Sequence, residues 1–402
     1  MSVAAARSAS RPTLVALAFG HGSVDLCSGG LFALLPFLAH ARHYSLSQAG
    51  VFALVGSLAT ALVQPTVGAH GDRRSGRARW LLPVGLALAA TGVGAVGLTP
   101  SFALTLVAVV VCAVGVAAYH PEGARWARFA SGEHVTADMS VFSVGGTTGY
   151  GLSTPLVLAV VLPLGLHGTP VMAIVPVAAA VAVTVALARF RARAAGEERF
   201  RPLGARDSEW RPFGLLLALY CLAGGVSTGL LTYVPLFLQR VRGASAGSSV
   251  VFTGVLLGAE ALGTLAGGFA AQRFGRRAVL IWPQLALLPL LALIPSLGYG
   301  GILVLAVPVG FCLNTNIGIA LVLAQEYLPR HMGLATGLTI GFTSGVGGLI
   351  VALLGVLGDA VGPAPVVYVI AALPLAVAAL AALLPRPAAA PPGTVWGLPA
   401  RT

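Results

Sequence analysis

Lysine is absent from this chain, and charge of either sign is scarce. Of 402 residues, 9% are charged and 57% hydrophobic, with a mean hydropathy of +0.91. Soluble domains carry about 25% charged residues, so a soluble globular fold is excluded. Short alternating segments of the β-barrel kind are missing as well, which leaves helices as the way to span a bilayer. Cysteine is sparse. Cys27, Cys112, Cys221 and Cys312 each lie inside an apolar run, without metal-type spacing. They read as small buried residues, and no disulfide framework is expected. The chain has no His-Glu-x-x-His pattern, no recognisable Ser-His-Asp set and no long polar region fit for a soluble output domain. These absences argue against an enzyme and against a sensor, and no cofactor or metal is expected. Met1–Pro12 carries Arg7 and Arg11, but the apolar run after it is too long for a signal peptide and reads as a retained first helix.

What is present is a series of twelve apolar segments. They cover about 13–39, 47–70, 80–99, 102–122, 139–163, 170–188, 212–238, 246–271, 278–297, 300–324, 333–357 and 364–384. A spanning helix needs roughly 20 such residues. The expected fold is an all-α membrane protein of twelve transmembrane helices in two six-helix halves. The halves are 13–188 and 212–384, joined by an Arg- and Glu-rich linker at 189–211. Residues 1–12 and 385–402 are tails, the second rich in Ala and Pro and expected to be disordered.

The net charge of +12 and pI near 10.6 would fit a nucleic-acid binder. Arginine placement argues otherwise, and no nucleic-acid partner is expected. With both termini cytoplasmic, 21 of the 24 arginines fall inside, and only Arg42, Arg240 and Arg242 fall outside. The positive-inside rule selects that orientation. The Arg-only, Ala-rich composition points to a GC-rich bacterial genome, and so to a multi-pass protein of the bacterial inner membrane.

One pair of residues stands out against this apolar background. His21 and Asp25 lie mid-way along the first segment, four residues apart and so on one helix face. An ionised Asp at the centre of a spanning helix costs about 2.5–3.5 kcal/mol on insertion scales, which makes it a functional-site hypothesis by default. Asp25 is the candidate proton-coupling group, with His21 as its tuner or relay. The alternative is a hydrogen-bonded pair that fixes the first helix. Glu260 in segment eight is a second intramembrane acid. It reads as a cation site, a second proton site or a protonated residue bonded to backbone.

An internal repeat supports the division into halves. Gly68-Ala-His-Gly-Asp72-Arg73-Arg74-Ser-Gly76-Arg77 follows segment two, and Gly268-Phe-Ala-Ala-Gln272-Arg273-Phe-Gly275-Arg276-Arg277 follows segment eight. Paired halves of this kind occur in secondary transporters. Both loops resemble the Gly-x-x-x-Asp-Arg-x-Gly-Arg signature of the major facilitator superfamily, with Gln272 in place of Asp in the second copy. Further strings are His21-x-x-x-Asp25, Gln64-Pro65, His120-Pro121-Glu122-x-x-Arg125-x-Ala127-Arg128, Ser140-x-Phe142-x-x-Gly145-Gly146-x-x-Gly149 and Ala324-Gln325-Glu326-x-Leu328-Pro329. Together they resemble the fosmidomycin-resistance branch of that superfamily, which implies proton-driven drug export.

The resemblance assigns further roles as expectations. Asp72, Arg73, His120, Glu122, Arg125 and Arg128 make a cytoplasmic gate, or else ordinary interfacial charge at helix ends. Helices one, four, seven and ten line the superfamily's cavity. This places Tyr119, Thr228, Thr232, Tyr233, Asn314 and Asn316 as cavity candidates, with Gln64 added from helix two. Asn314 and Asn316 are two apart and do not share a face. Gly145, Gly146 and Gly149, followed by Pro155, suit close packing of helix five or a hinge in it. No arginine lies deep in an apolar segment. An anionic substrate such as a phosphonate would therefore have to draw on Arg125, a protonated His21 or His120, or a helix N-terminus.

The leading expectation is a proton-coupled efflux antiporter of a small drug-like molecule, working by alternating access. The alternative is a proton symporter or facilitator importing a small organic solute, with an intramembrane enzyme as a remote third. The expected partners are a small-molecule substrate, protons and the lipid bilayer, and a monomer suffices.

Overall fold

The computed structural model describes residues 10–73, 79–131, 135–191, 208–328 and 332–385. Among them there is no β-strand. The first half contains α1 (Arg11–Arg42), α2 (Leu46–Arg73), α3 (Leu81–Ala95), α4 (Phe102–Ala130), α5 (Val135–Leu164) and α6 (Ile174–Arg191). The second contains α7 (Trp210–Arg242), α8 (Ala246–Phe274), α9 (Arg276–Leu293), α10 (Tyr299–Asn314), α11 (Ile317–Tyr327), α12 (Met332–Gly337), α13 (Thr343–Val361) and α14 (Pro363–Leu383). Ten stretches of the described residues are long and apolar enough to cross a membrane. One of them, Val141–Phe190, is broken by a 3-10 stretch at Gly165–Ala173. With the shorter apolar helix Leu81–Ala95, the set is consistent with twelve crossings.

The helices start and stop for local reasons. Ser245 caps α8 by accepting from the Ser248 N–H at 3.1 Å. Gly243 ends α7 with φ +66°, a left-handed conformation that glycine adopts without steric cost. Proline sits inside many helices, including Pro36, Pro65, Pro121, Pro155 and Pro235. Membrane helices tolerate it because neighbouring groups satisfy the freed carbonyls. Large apolar side chains such as Phe269, Trp282 and Val304 face outward, as a lipid-facing surface requires.

Two expected segments differ in the structure. The fourth was bounded near residue 122, where charge begins, yet α4 continues to Ala130. Glu122 and Arg125, three residues apart on this continuation, pair at 2.8 Å. The tenth was read as continuous from 300 to 324, but it breaks after Asn314 into α10 and α11. A π-helical stretch at Leu338–Phe342 also joins α12 to α13, which hydropathy does not reveal.

α1 packs chiefly on α5, and α2 crosses to the other half to pack on α13. α5 against α8 is a second contact between the halves. Small residues permit both. A Cβ on Gly254 of α8 would sit 2.9 Å from the Thr154 side chain, and one on Gly341 would sit 3.1 Å from the Thr60 carbonyl.

Among the described residues, hydrogen bonds between the halves all lie at the end of the bundle away from Ser10 and Pro385. There Asp359 accepts from the backbone N–H of Leu46 (2.8 Å) and of Ser47 (3.0 Å), at the first turn of α2. Gln239 donates to the Pro36 carbonyl at 3.2 Å, Arg240 donates to the Tyr44 carbonyl, and the Tyr233 hydroxyl reaches the Leu46 carbonyl at 3.5 Å. A carboxylate at a helix N-terminus meets unsatisfied N–H groups and the positive end of the helix dipole. Asp359→Ala should thus weaken this closed end by about 1–2 kcal/mol, discounted for exposure. Spin labels at Ala41 and Val241 would report it as a broader, longer distance distribution. An unchanged distribution would show that Asp359 is no latch.

Candidate functional site

The first helix carries His21 and Asp25 as expected, and Asp25 lies 14 residues from the start of α1 and 17 from its end. That is the middle of the membrane span. Around this pair the fold brings residues from two more helices. His120 of α4 places its Nε2 3.0 Å from Asp25 Oδ1, while His21 Nε2 lies 3.4 Å from Oδ2. The two imidazoles meet edge to face with ring centroids 5.1 Å apart. His21 also stacks on Phe142 of α5, at 4.3 Å.

The backbone settles the tautomers. His21 Nδ1 lies 2.9 Å from the Phe142 carbonyl oxygen, and His120 Nδ1 lies 2.8 Å from the Val116 carbonyl oxygen. A carbonyl only accepts, so each Nδ1 carries the hydrogen and donates it. A carboxylate also only accepts, so the 3.0 Å contact between His120 Nε2 and Asp25 Oδ1 holds a proton between them; once that proton leaves, each neutral ring presents an Nε2 lone pair to the Asp25 carboxylate. Three acceptors converge on one point, an arrangement that calls for added positive charge. The side chains of His21, Asp25 and His120 keep 13%, 19% and 24% exposure.

Gly146 makes room on the α5 side. A Cβ there would lie 2.6 Å from Asp25 Oδ2 and 2.5 Å from His21 Cε1. Gly145 and Gly149 let α5 approach α1, whose Ala18 and Gly22 carbonyls a Cβ at either position would strike. Pro155 lies two turns further along α5.

The remaining candidates fall into groups. Glu122 is fully buried and accepts from Arg125, which also donates to the Gly68 carbonyl at 3.3 Å, tying α4 to the end of α2. Asp72 and Arg73 occupy the last turn of α2, and Arg128 the last turn of α4; their side chains lie outside the described residues, as do residues 74–78. His120 was grouped with this gate, but its side chain faces Asp25. Tyr119 is fully buried and donates to the Leu17 carbonyl at 2.7 Å. Tyr233, also fully buried, donates to the Val351 carbonyl at 2.5 Å. Gln64, Thr232 and Asn316 are buried as well, whereas Thr228 and Asn314 are partly exposed.

Glu260 has side-chain partners in place of the backbone. It accepts from Ser227 at 3.3 Å and from Asn314 at 3.1 Å, joining α8 to α7 and α10. Glu260→Gln can keep both contacts and should change stability by less than about 1 kcal/mol. Glu260→Ala removes the acceptor of two half-buried polar groups and should cost about 1–2 kcal/mol. Denaturant unfolding in detergent compares the two. Equal losses would show that Glu260 is not a hydrogen-bond hub.

The sequence pattern of the Major Facilitator Superfamily matches residues 17–352. The chain belongs to the Major Facilitator Superfamily. It is therefore a multi-pass membrane protein of a transporter family. The Fosmidomycin resistance protein of Escherichia coli (strain K12) is 29% identical over 370 residues, covering 90% of each chain. The Bacillus subtilis (strain 168) protein YfnC, described as an uncharacterized MFS-type transporter, is 30% identical over 391 residues and 93% of each. Solved structures share the fold. A bacterial homolog of the human lysosomal transporter Spinster, in an inward-facing and occupied conformation, aligns at TM-score 0.73 and 16% identity, covering 92% of this chain and 96% of that one. The nucleoside transporter NupG aligns at TM-score 0.70 and 14% identity, covering 93% and 99%.

Proposed function

We propose that this superfamily member is a proton-coupled efflux antiporter of a small drug-like molecule in the bacterial inner membrane, with both termini cytoplasmic. The observation that carries the reading is the cluster of Asp25 and His21 of α1 with His120 of α4 at mid-membrane. A carboxylate and two imidazole lone pairs form a site that loads protons, and an arriving substrate displaces them. The relative named for fosmidomycin resistance supports export of a drug-like compound. With the termini inside, the hydrogen-bonded end around Asp359 and Leu46 is the outer end, so this conformation is closed outward. Coupling then requires that proton loading and substrate binding favour opposite movements of the halves, a reciprocal free-energy link. Glu122 and Arg125 hold the inner ends of α4 and α2 together during the cycle.

The test is proton release from purified protein in weakly buffered detergent, on adding a panel of phosphonates and lipophilic drugs. A compound that binds and releases protons supports antiport and names a ligand. Binding with no proton release at any pH across the histidine range removes the competition mechanism and favours uniport or symport.

A further inference from the structure

We propose that Asp25, His21 and His120 form a binding site for one divalent transition-metal cation of the zinc class, held by Asp25 carboxylate oxygen and the two Nε2 atoms. The sequence offers only His21 and Asp25 as neighbours, two ligands where zinc sites use three or four. The fold adds the third from α4, 95 positions away.

Geometry supports the assignment first. One ligand atom from each residue lies within 4.8 Å of the others, and this is a cluster of three potential metal ligands among the described residues. Each histidine Nε2 lies close to one Asp25 oxygen, His120 3.0 Å from Oδ1 and His21 3.4 Å from Oδ2, near the edge of about 3.3 Å of a tetrahedron around Zn2+ with ligand distances of 2.0–2.1 Å.

The second, independent argument is the outer hydrogen bonds. Metal-ligating histidines donate their other ring N–H to a carbonyl or carboxylate, which fixes the tautomer and the ring orientation. His21 and His120 both do so, to Phe142 and Val116. Two lone pairs and a carboxylate are thus aimed at one point before any cation arrives.

Charge supplies the third argument. Two protons bring the cluster to a net charge of +1, and one divalent cation with both rings neutral brings it to the same value. The membrane interior therefore accepts either state on equal electrostatic terms, and metal and protons compete. Two imidazoles favour Zn2+, Co2+ or Ni2+ over Mg2+ and Ca2+, which prefer all-oxygen shells. With three protein ligands, a fourth position stays open to the space that leaves these side chains partly exposed. The site does not depend on what the chain carries or in which direction.

The experiment uses the full-length chain in detergent after removal of any affinity tag. Zn2+ is titrated in competition with a chromophoric chelator at about pH 7.5 and about pH 5.5, values either side of the histidine range. The expected result is one Zn2+ per chain at micromolar concentration, proton release on binding, and much weaker binding at the lower pH. His120→Gln and His21→Gln should each weaken binding roughly 10-fold or more. The surface double variant His40→Gln/His43→Gln should bind as wild type. Wild-type protein alone gives a second readout: Co2+ should show the intense visible bands of a four- or five-coordinate site. Absence of micromolar binding, a weak octahedral Co2+ spectrum, or loss of binding in the His40/His43 variant in place of the His120 variant would each overturn the proposal. None of these results bears on drug-induced proton release, so failure here leaves the antiporter reading standing.

Discussion

Asp25→Asn should flatten the pH dependence of ligand affinity, which in the wild-type protein should change about tenfold per pH unit for each proton released. The expectation follows from linkage: if one proton leaves when a non-titrating ligand binds, log Kd moves by one for each pH unit over the titration range of the cluster. The sign is set by competition. Protons occupy the acceptors at low pH, so an antiporter's ligand binds more tightly as pH rises. Two pH units thus separate Kd values by about 100-fold, or roughly 2.7 kcal/mol. Asparagine is nearly isosteric with aspartate, and its amide donates to one of the two Nε2 atoms that face position 25. The helix contacts persist while the carboxylate that attracts the protons is gone. Binding measured by tryptophan quenching or calorimetry across pH checks this. A steep pH dependence that survives in Asp25→Asn would move the coupling elsewhere, with Glu260 the next intramembrane acid to test.

The parts of this site that the sequence displays are the ones that depend on local periodicity. His21 and Asp25 are one turn apart on any helix, and a charge inside an apolar run draws attention by its cost alone. The loops after helices two and eight carry their repeat in plain view, and the twelve segments follow from hydropathy. His120 was in view but in the wrong company. It stands next to Pro121 and Glu122, where hydropathy falls, so it was read as belonging to a helix end. The Glu122–Arg125 pair masks its own charge, α4 extends past it, and His120 turns out to sit deeper, against Asp25. A signal was available, since an i, i+3 acid–base pair is compatible with a continuing helix. The break between α10 and α11 and the π-helical stretch at Leu338–Phe342 have no comparable signal, because they depend on what the neighbouring helices leave space for. Tyr119 and Tyr233 show a related limit: expected to line a cavity, they spend their hydroxyls on the carbonyls of Leu17 and Val351.

Gly149→Leu should destabilise the protein far more than Gly151→Leu, although the two glycines are two residues apart on one helix. At position 149 a Cβ would run into the Gly22 carbonyl oxygen, and a Cβ on Gly22 in turn would lie 2.7 Å from the Gly145 carbonyl. At position 151 a Cβ meets nothing within 4 Å. Lipid tails are as apolar as leucine, so helices in a bilayer gain little from burying apolar surface against one another; close packing has to hold them. A leucine at 149 pushes α1 off α5, with an overpacking cost of about 3 kcal/mol or more. Leucine at 151 adds helix propensity and should be neutral or gain about 0.5–1 kcal/mol. The displacement also carries function, because Phe142 lies two turns before Gly149 on α5 and its carbonyl holds the His21 ring in place. Thermal unfolding in detergent separates the two variants, and the pH dependence of ligand binding in Gly149→Leu, measured below its unfolding temperature, reports whether the cluster still assembles. If the variants melt alike, the close approach of α1 and α5 does not hold the first half together, and the glycine run would have to act through motion of α5.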